Sequence, residues 1–269
     1  VVAMQGDNLL VGRLLGASAL GYYSRAYQLM VMPALLIGGV IDRVLFPTMA
    51  GLRHDRALVA RTFARTVAIA AMLALPLSGM MVVLAEEIIV VVFGSQWIPS
   101  VPAFQWLAAC LYFRLSYKLS DSLAHAEGAV YAKLWRQVVY ALTVIVAAWA
   151  GYVHGIAGVA AGVSLAVTIN FFLMLHLSRR LLGTEWIGLG RVHLRHLIVA
   201  TAVSSVAVGA KLLLLSWGSG PLATLAGTAV VCGGLMLALL LLGTRIVGPE
   251  ALLVRSMIAT LLRRGARSP

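Results

Sequence analysis

The stretch Gln5-Gly-Asp-Asn-Leu-Leu-Val-Gly-Arg-Leu-Leu-Gly-Ala-Ser-Ala-Leu-Gly-Tyr-Tyr-Ser-Arg-Ala-Tyr27, running on to Phe46-Pro47, decides the fold class. It reads as two apolar helices joined by a short Gly/Ser turn. Asp7, Arg13 and Arg25 sit inside otherwise apolar sequence. A charge in hydrocarbon is costly, so such residues face a protein interior or a watery cavity. The surrounding sequence makes hydrocarbon the right solvent to consider. Of 269 residues, 61% are hydrophobic and 11% charged, and the mean hydropathy is +0.97. A soluble domain has about 45–50% apolar and about 25% charged residues. The chain therefore reads as an all-α integral membrane protein.

A spanning helix needs about 20 apolar residues. On that measure about eight spans follow one another: 1–15, 19–44, 66–84, 101–123, 131–152, 156–177, 197–217 and 222–242. The third is expected to bend at Pro76. Ile88–Phe93 is too short to cross and is placed at the interface.

The loops alternate in charge. Arg53, Arg56, Arg61 and Arg65 mark one side, and Glu86 and Glu87 the other. Lys133 and Arg136 return to the first side, as do Arg179, Arg180, Arg191 and Arg195. The positive-inside rule makes that side cytoplasmic and puts both chain ends there. The tail, 245–269, is basic, and Glu250–Arg264 suits an amphipathic helix on anionic lipid. The net charge of +12 is gathered in gaps between apolar runs. It is topological charge and does not indicate nucleic acid.

One span carries a polar stripe. Arg114, Lys118, Asp121 and His125 are spaced four, three and four apart, which places them on one helical face. Arg114 falls near mid-membrane and His125 near the cytoplasmic end. The stripe is expected to line a cavity for an anionic headgroup. The competing reading has Lys118 and Asp121 neutralise each other while the longer side chains snorkel. Lys133, Arg136, Gln137 and Tyr140 form a similar stripe at the start of the next span; Lys133 also suits a positive-inside anchor, and Arg136 lies deeper. Arg25 lies beside Tyr22, Tyr23 and Tyr27, which read as interfacial anchors. Asp7 is a candidate for ion coupling and does not pair with Arg13. His193 and His196 flank a basic loop, and a metal site would need more ligands. Gly155, Gly158 and Gly162 read as small-residue packing between helices. Neither a catalytic constellation nor a cofactor motif is evident.

Asp7-Asn-Leu-Leu-Val-Gly-Arg-Leu-Leu-Gly, Leu20-Gly-Tyr-Tyr-Ser-Arg-Ala-Tyr and Leu45-Phe-Pro-Thr-Met resemble Wzx-type polysaccharide flippases of the multidrug/oligosaccharidyl-lipid/polysaccharide exporter superfamily. Phe93-Gly-Ser-Gln-Trp and Glu127-Gly128 are similar to the same family. The resemblance implies that residues 1–180 form the second six-helix lobe of an exporter and 181–244 two additional helices. The first lobe, or a second copy of the chain, is then a required partner. It also implies a function, translocation of an undecaprenyl-diphosphate-linked oligosaccharide across the bacterial inner membrane by alternating access, beside a polysaccharide polymerase. Arg114, Lys118, Asp121, Arg136 and Arg25 would line the cavity, and Asp7 would couple an ion. The alternatives are another exporter of the superfamily, for lipid-linked peptidoglycan precursor or drugs, and a polyprenyl-linked membrane glycosyltransferase or acyltransferase. The last needs clustered carboxylates, and the chain has nine acidic residues in all.

Overall fold

The computed structural model describes residues 2–52, 55–183 and 186–242, with the side chains of 2–5, 36, 37, 39–52, 186, 187, 189 and 242 left undescribed. The tail 245–269 and its expected amphipathic helix lie outside these residues. The described residues form helices α1 (Val2–Leu14), α2 (Ala17–Leu52), α3 (Arg56–Val83), α4 (Ala85–Phe93), α5 (Val101–Ala109), α6 (Leu111–Ala126), α7 (Val130–Gly151), α8 (Gly155–Leu182), α9 (Trp186–Ser216) and α10 (Pro221–Leu242). A 3-10 segment, Ser95–Ser100, joins α4 to α5, and a second, Tyr152–His154, joins α7 to α8.

Among the described residues these fall into eight helical arms and the short α4, with α5 and α6 forming one arm between them. By length and apolarity alone, crossing helices lie within 56–83, 130–182, 190–216 and 221–241 of the described residues. The turn between α1 and α2 falls at Gly16, whose φ of +89° is open to glycine at no steric cost. The basic loop expected between Arg53 and Arg65 is shorter than the charge pattern suggested. Asp55 caps α3 by accepting from the Leu58 N–H at 3.0 Å, so Arg61 and Arg65 already belong to that helix. Helix α3 runs on through Pro76.

The fourth span, expected as one helix over 101–123, is broken at Cys110. A break inside hydrocarbon frees carbonyls that need donors. Two serines supply them. Ser78 of α3 donates to the carbonyls of Ala108 and Ala109, and Ser164 of α8 donates to that of Trp106 at 2.8 Å.

The main core joins α1, α2, α3, α5, α6, α7 and α8 through residues such as Tyr23, Met30, Phe104, Leu107, Leu111 and Val163. Glycine sets the α7–α8 contact. A Cβ on Gly151 would lie 2.2 Å from the Gly158 carbonyl oxygen, and one on Gly162 would lie 2.3 Å from that of Ala147. The small residues of α8 therefore do pack helix against helix. Helices α9 and α10 have a small core of their own, Val199, Val203, Ala207 and Cys232, backed by Met80 and Val83 of α3. An ion pair ties α9 to the rest. Lys211 lies 2.9 Å from the buried Glu87 and also donates to the Val83 carbonyl at 3.0 Å. The outward faces expose Trp149, Phe172, Trp217 and Val230, as surfaces that meet acyl chains do.

Candidate functional site

The break at Cys110 puts Arg114 in the first turn of α6. From there its guanidinium crosses to α2, where Nη1 donates to the Tyr27 hydroxyl at 2.7 Å. The guanidinium carbon also lies 5.0 Å from the centre of the Tyr27 ring, within cation–π range. Nε is shut away from solvent without a hydrogen-bond acceptor. A cation held by neutral phenols, with donor capacity unspent, suits a ligand that brings negative charge.

Asp7 lies in the same interior. It is 3% exposed, and its Oδ2 accepts from the buried Tyr23 hydroxyl at 2.8 Å. Tyr140 of α7 stands within electrostatic range of both Asp7 and Arg114. Its ring centre is 6.3 Å from that of Tyr117 on α6. Acid and base are thus joined through tyrosines rather than directly.

Tyr27 also faces outward from this cluster. With Asn8, Ser24, Gln28, Val31, Met32 and Leu35 it lines a groove of about 380 Å³ along α1 and α2. The groove wall is polar towards Ser24 and Gln28 and apolar towards Leu35. That suits a molecule with a polar head and an apolar tail.

The other residues expected at the site fall in different places. Lys118 leans on α2, where a methyl on Gly38 would lie 3.7 Å from its Nζ. It has no ion-pair partner among the described residues. Asp121 turns away from Lys118. Lys133 of α7 lies 2.7 Å from its Oδ1, and His125 lies 3.8 Å from its Oδ2. Lys133 also reaches the His125 ring nitrogen. The local Lys118–Asp121 neutralisation considered from the spacing does not form, because α7 supplies a cation with better geometry. Arg136 is buried between α7 and α8, where it donates to the carbonyls of Leu173 and Ala132. Arg25 is exposed. It donates to the Gln28 side chain at 3.0 Å and lies 5.5 Å from the ring centres of Phe93 and Trp97. The structure thus groups Arg114 with Asp7, places Lys118 further along α2, and sets Asp121, Arg136 and Arg25 in three separate surroundings.

Two expectations need correction. Tyr23 and Tyr27 do not serve as interfacial anchors alone: Tyr23 is buried and donates to Asp7, and Tyr27 accepts from Arg114 while its other side lines the groove. Their spacing of four, with Tyr22 off the stripe, was the available signal. His193 lies within α9 and not in a loop. It shares a hydrogen bond of 2.6 Å with Tyr112 and packs on Phe171.

Residues 1–102 match the model of the family described as polysaccharide biosynthesis protein. Over that segment the chain is similar to this family. The resemblance to Wzx-type exporters read from the opening stretch therefore holds.

The chain is 30% identical over 171 residues to the teichuronic acid biosynthesis protein TuaB of Bacillus subtilis, covering 62% of this chain and 35% of that protein. It is 30% identical over 125 residues to the lipopolysaccharide biosynthesis protein WzxC of Escherichia coli, covering 46% and 25%. It is 30% identical over 107 residues to the succinoglycan biosynthesis transport protein ExoT of Rhizobium meliloti, covering 40% and 22%. The chain thus spans about a third or less of the length of these curated relatives. Among solved structures it shares the fold of the lipid II flippase MurJ in an inward closed conformation. The TM-score is 0.69 at 15% identity, over 89% of this chain and 51% of that one. The chain is a multi-pass membrane protein that shares this fold.

Proposed function

We propose that the chain forms one lobe of a carrier that moves an undecaprenyl-diphosphate-linked oligosaccharide across the bacterial inner membrane. The observation that carries this reading is the Arg114–Tyr27 contact behind the α1–α2 groove. It puts a cation without a carboxylate partner among the described residues at the depth where a diphosphate would cross, with Lys118 further along the same wall. The diphosphate would pass from Lys118 to Arg114, or the reverse, as the lobes rock in alternating access. The acyl chain would stay in the bilayer beside the apolar end of the groove. Asp7 would take up a proton or cation and signal it to Arg114 through Tyr23 and Tyr140. No covalent step is involved, so the protein is a carrier and not an enzyme.

In this reading residues 1–180 are the second lobe, 181–244 two accessory helices and 245–269 a cytoplasmic tail. Both chain ends face the cytoplasm. The exposed Leu9, Met32 and Leu35 would face the first lobe or a second copy of the chain. A polysaccharide polymerase would take the product outside. The family match and the relatives named for polysaccharide biosynthesis and transport support the substrate class.

Complementation tests the proposal. The chain, alone and with its upstream reading frame, is expressed in a bacterium lacking its exopolysaccharide flippase. Rescue is expected with both lobes present and is lost in the Arg114→Ala, Lys118→Ala double variant at matched membrane levels. Rescue by the chain alone would point to a dimer. No rescue despite good expression would overturn the oligosaccharide reading in favour of another cargo.

A further inference from the structure

We infer that the basic crevice where α7 begins and α8 ends binds the headgroup of an anionic phospholipid. The site is separate from the α1–α2 groove and does not depend on the transport reading.

On α8, Leu165, Ile169, Phe172, His176 and Arg180 follow one another at spacings of four, three, four and four, which is one helical face. The first three are exposed apolar side chains, so this face meets acyl chains. The face then turns basic within two turns. On α7 the neighbouring exposed residues are Leu134, Trp135 and Val138. An acyl chain lying along these two apolar strips would end with its headgroup at His176 and Arg180.

Arg136 completes the site from below. Its Nε donates to the Leu173 carbonyl, one turn before His176, and its Nη1 to the Ala132 carbonyl. Neither of these bonds uses Nη2. The guanidinium lies 5.1 Å from the centre of the Trp135 ring, an aromatic of the kind that sits at headgroup depth. Arg180 acts electrostatically on both Arg136 and His176.

Like charges brought together at the edge of a low-dielectric slab repel unless an anion joins them. Neither Arg136 nor Arg180 has a carboxylate partner among the described residues. Of the two carboxylates at this end of α6, Asp121 is already held by Lys133 and His125, and Glu127, which caps α6, forms no ion pair with Arg136 or Arg180 among the described residues. A phosphodiester supplies the missing charge and the acceptor oxygens, while its acyl chains cover the exposed strips. A basic pocket between helices at the basic end of a membrane protein suits such a headgroup.

Native mass spectrometry of the chain in detergent tests this, with titration of phosphatidylglycerol or phosphatidylcholine of matched acyl chains. Phosphatidylglycerol is expected to bind with clear preference. Arg180→Gln, an exposed change that leaves the fold alone, is expected to weaken it about fivefold, the worth of one basic residue near anionic lipid. Arg136→Gln should weaken it further, and Arg191→Gln, exposed on α9, should do nothing. Equal binding of the two lipids, indifference to Arg180→Gln, or an equal loss in Arg191→Gln would overturn the site. Displacement by soluble glycerol phosphate would also overturn it, since a free anion would then suffice.

Discussion

The two ends of α6 carry the same kind of sequence and do opposite things. At the broken end, Arg114 meets the Tyr27 hydroxyl and ring, with Tyr140 within electrostatic range. At the other end, Asp121 meets Lys133 and His125. The second arrangement is closed, because opposite charges satisfy each other. The first is open, because phenols can orient a guanidinium but cannot neutralise it at neutral pH. The lesson is that a polar stripe in a membrane helix is not one site. What each residue does depends on which neighbouring helix it reaches, α2 for the cations and α7 for the acid.

The contrast breaks first at Arg114. Arg114→Gln removes the charge and leaves an amide of similar reach. Losing one partner of a desolvated charge contact costs about 2–5 kcal/mol, so transport in the two-lobed complementation assay should fall at least about thirtyfold. Membrane levels should change little. An undiminished rate would show that Arg114 is a structural cation like those it differs from.

Tyr27→Phe sharpens the comparison. It keeps the ring against the guanidinium and removes the hydroxyl acceptor. A hydrogen bond to a charged group is worth about 1.5–3 kcal/mol, part of which the retained ring contact and water recover. The expected loss of transport is about five- to tenfold. Tyr23→Phe should act on Asp7 in a parallel way. If the loss with Tyr23→Phe depends on the ion gradient and that with Tyr27→Phe does not, the two ends of the tyrosine chain have separate duties.

The smallest effect belongs at the closed end. Asp121→Asn and Lys133→Gln, alone and together, form a double-mutant cycle on thermal stability in detergent. A partly exposed pair should show a coupling of about 0.5 kcal/mol. Transport should stay near the unaltered level. A large transport loss here would mean that the pair opens during the cycle, and the division between an open and a closed end would fail.

Much of this was legible beforehand. Apolar runs gave the helical arms because in hydrocarbon a backbone must satisfy itself locally. The glycines of α8 were legible because only a missing Cβ lets Gly151 and Gly158 meet. The break at Cys110 was not legible. It depends on Ser78 and Ser164, which come from other spans, and an isolated apolar segment carries no sign of them. The roles of Tyr23 and Tyr27 were hidden because tyrosine near a helix end suits both the interface and the interior. The partner of Glu87 was missed because of its distance along the chain. Lys211 lies 124 residues away, and no spacing rule reaches that far.

Composition and short-range period were enough for membrane residence, the helical arms and the small-residue seam. These follow from solvation and from helix geometry over a few turns. Only the tertiary structure decided which charges are matched. It brought Asp121 to Lys133, held Arg136 between α7 and α8, and gave Arg114 phenols in place of a carboxylate. The physical reason is range. An unscreened charge in a bilayer is governed by whatever polar group comes within a few ångströms, and packing of distant segments alone sets that group.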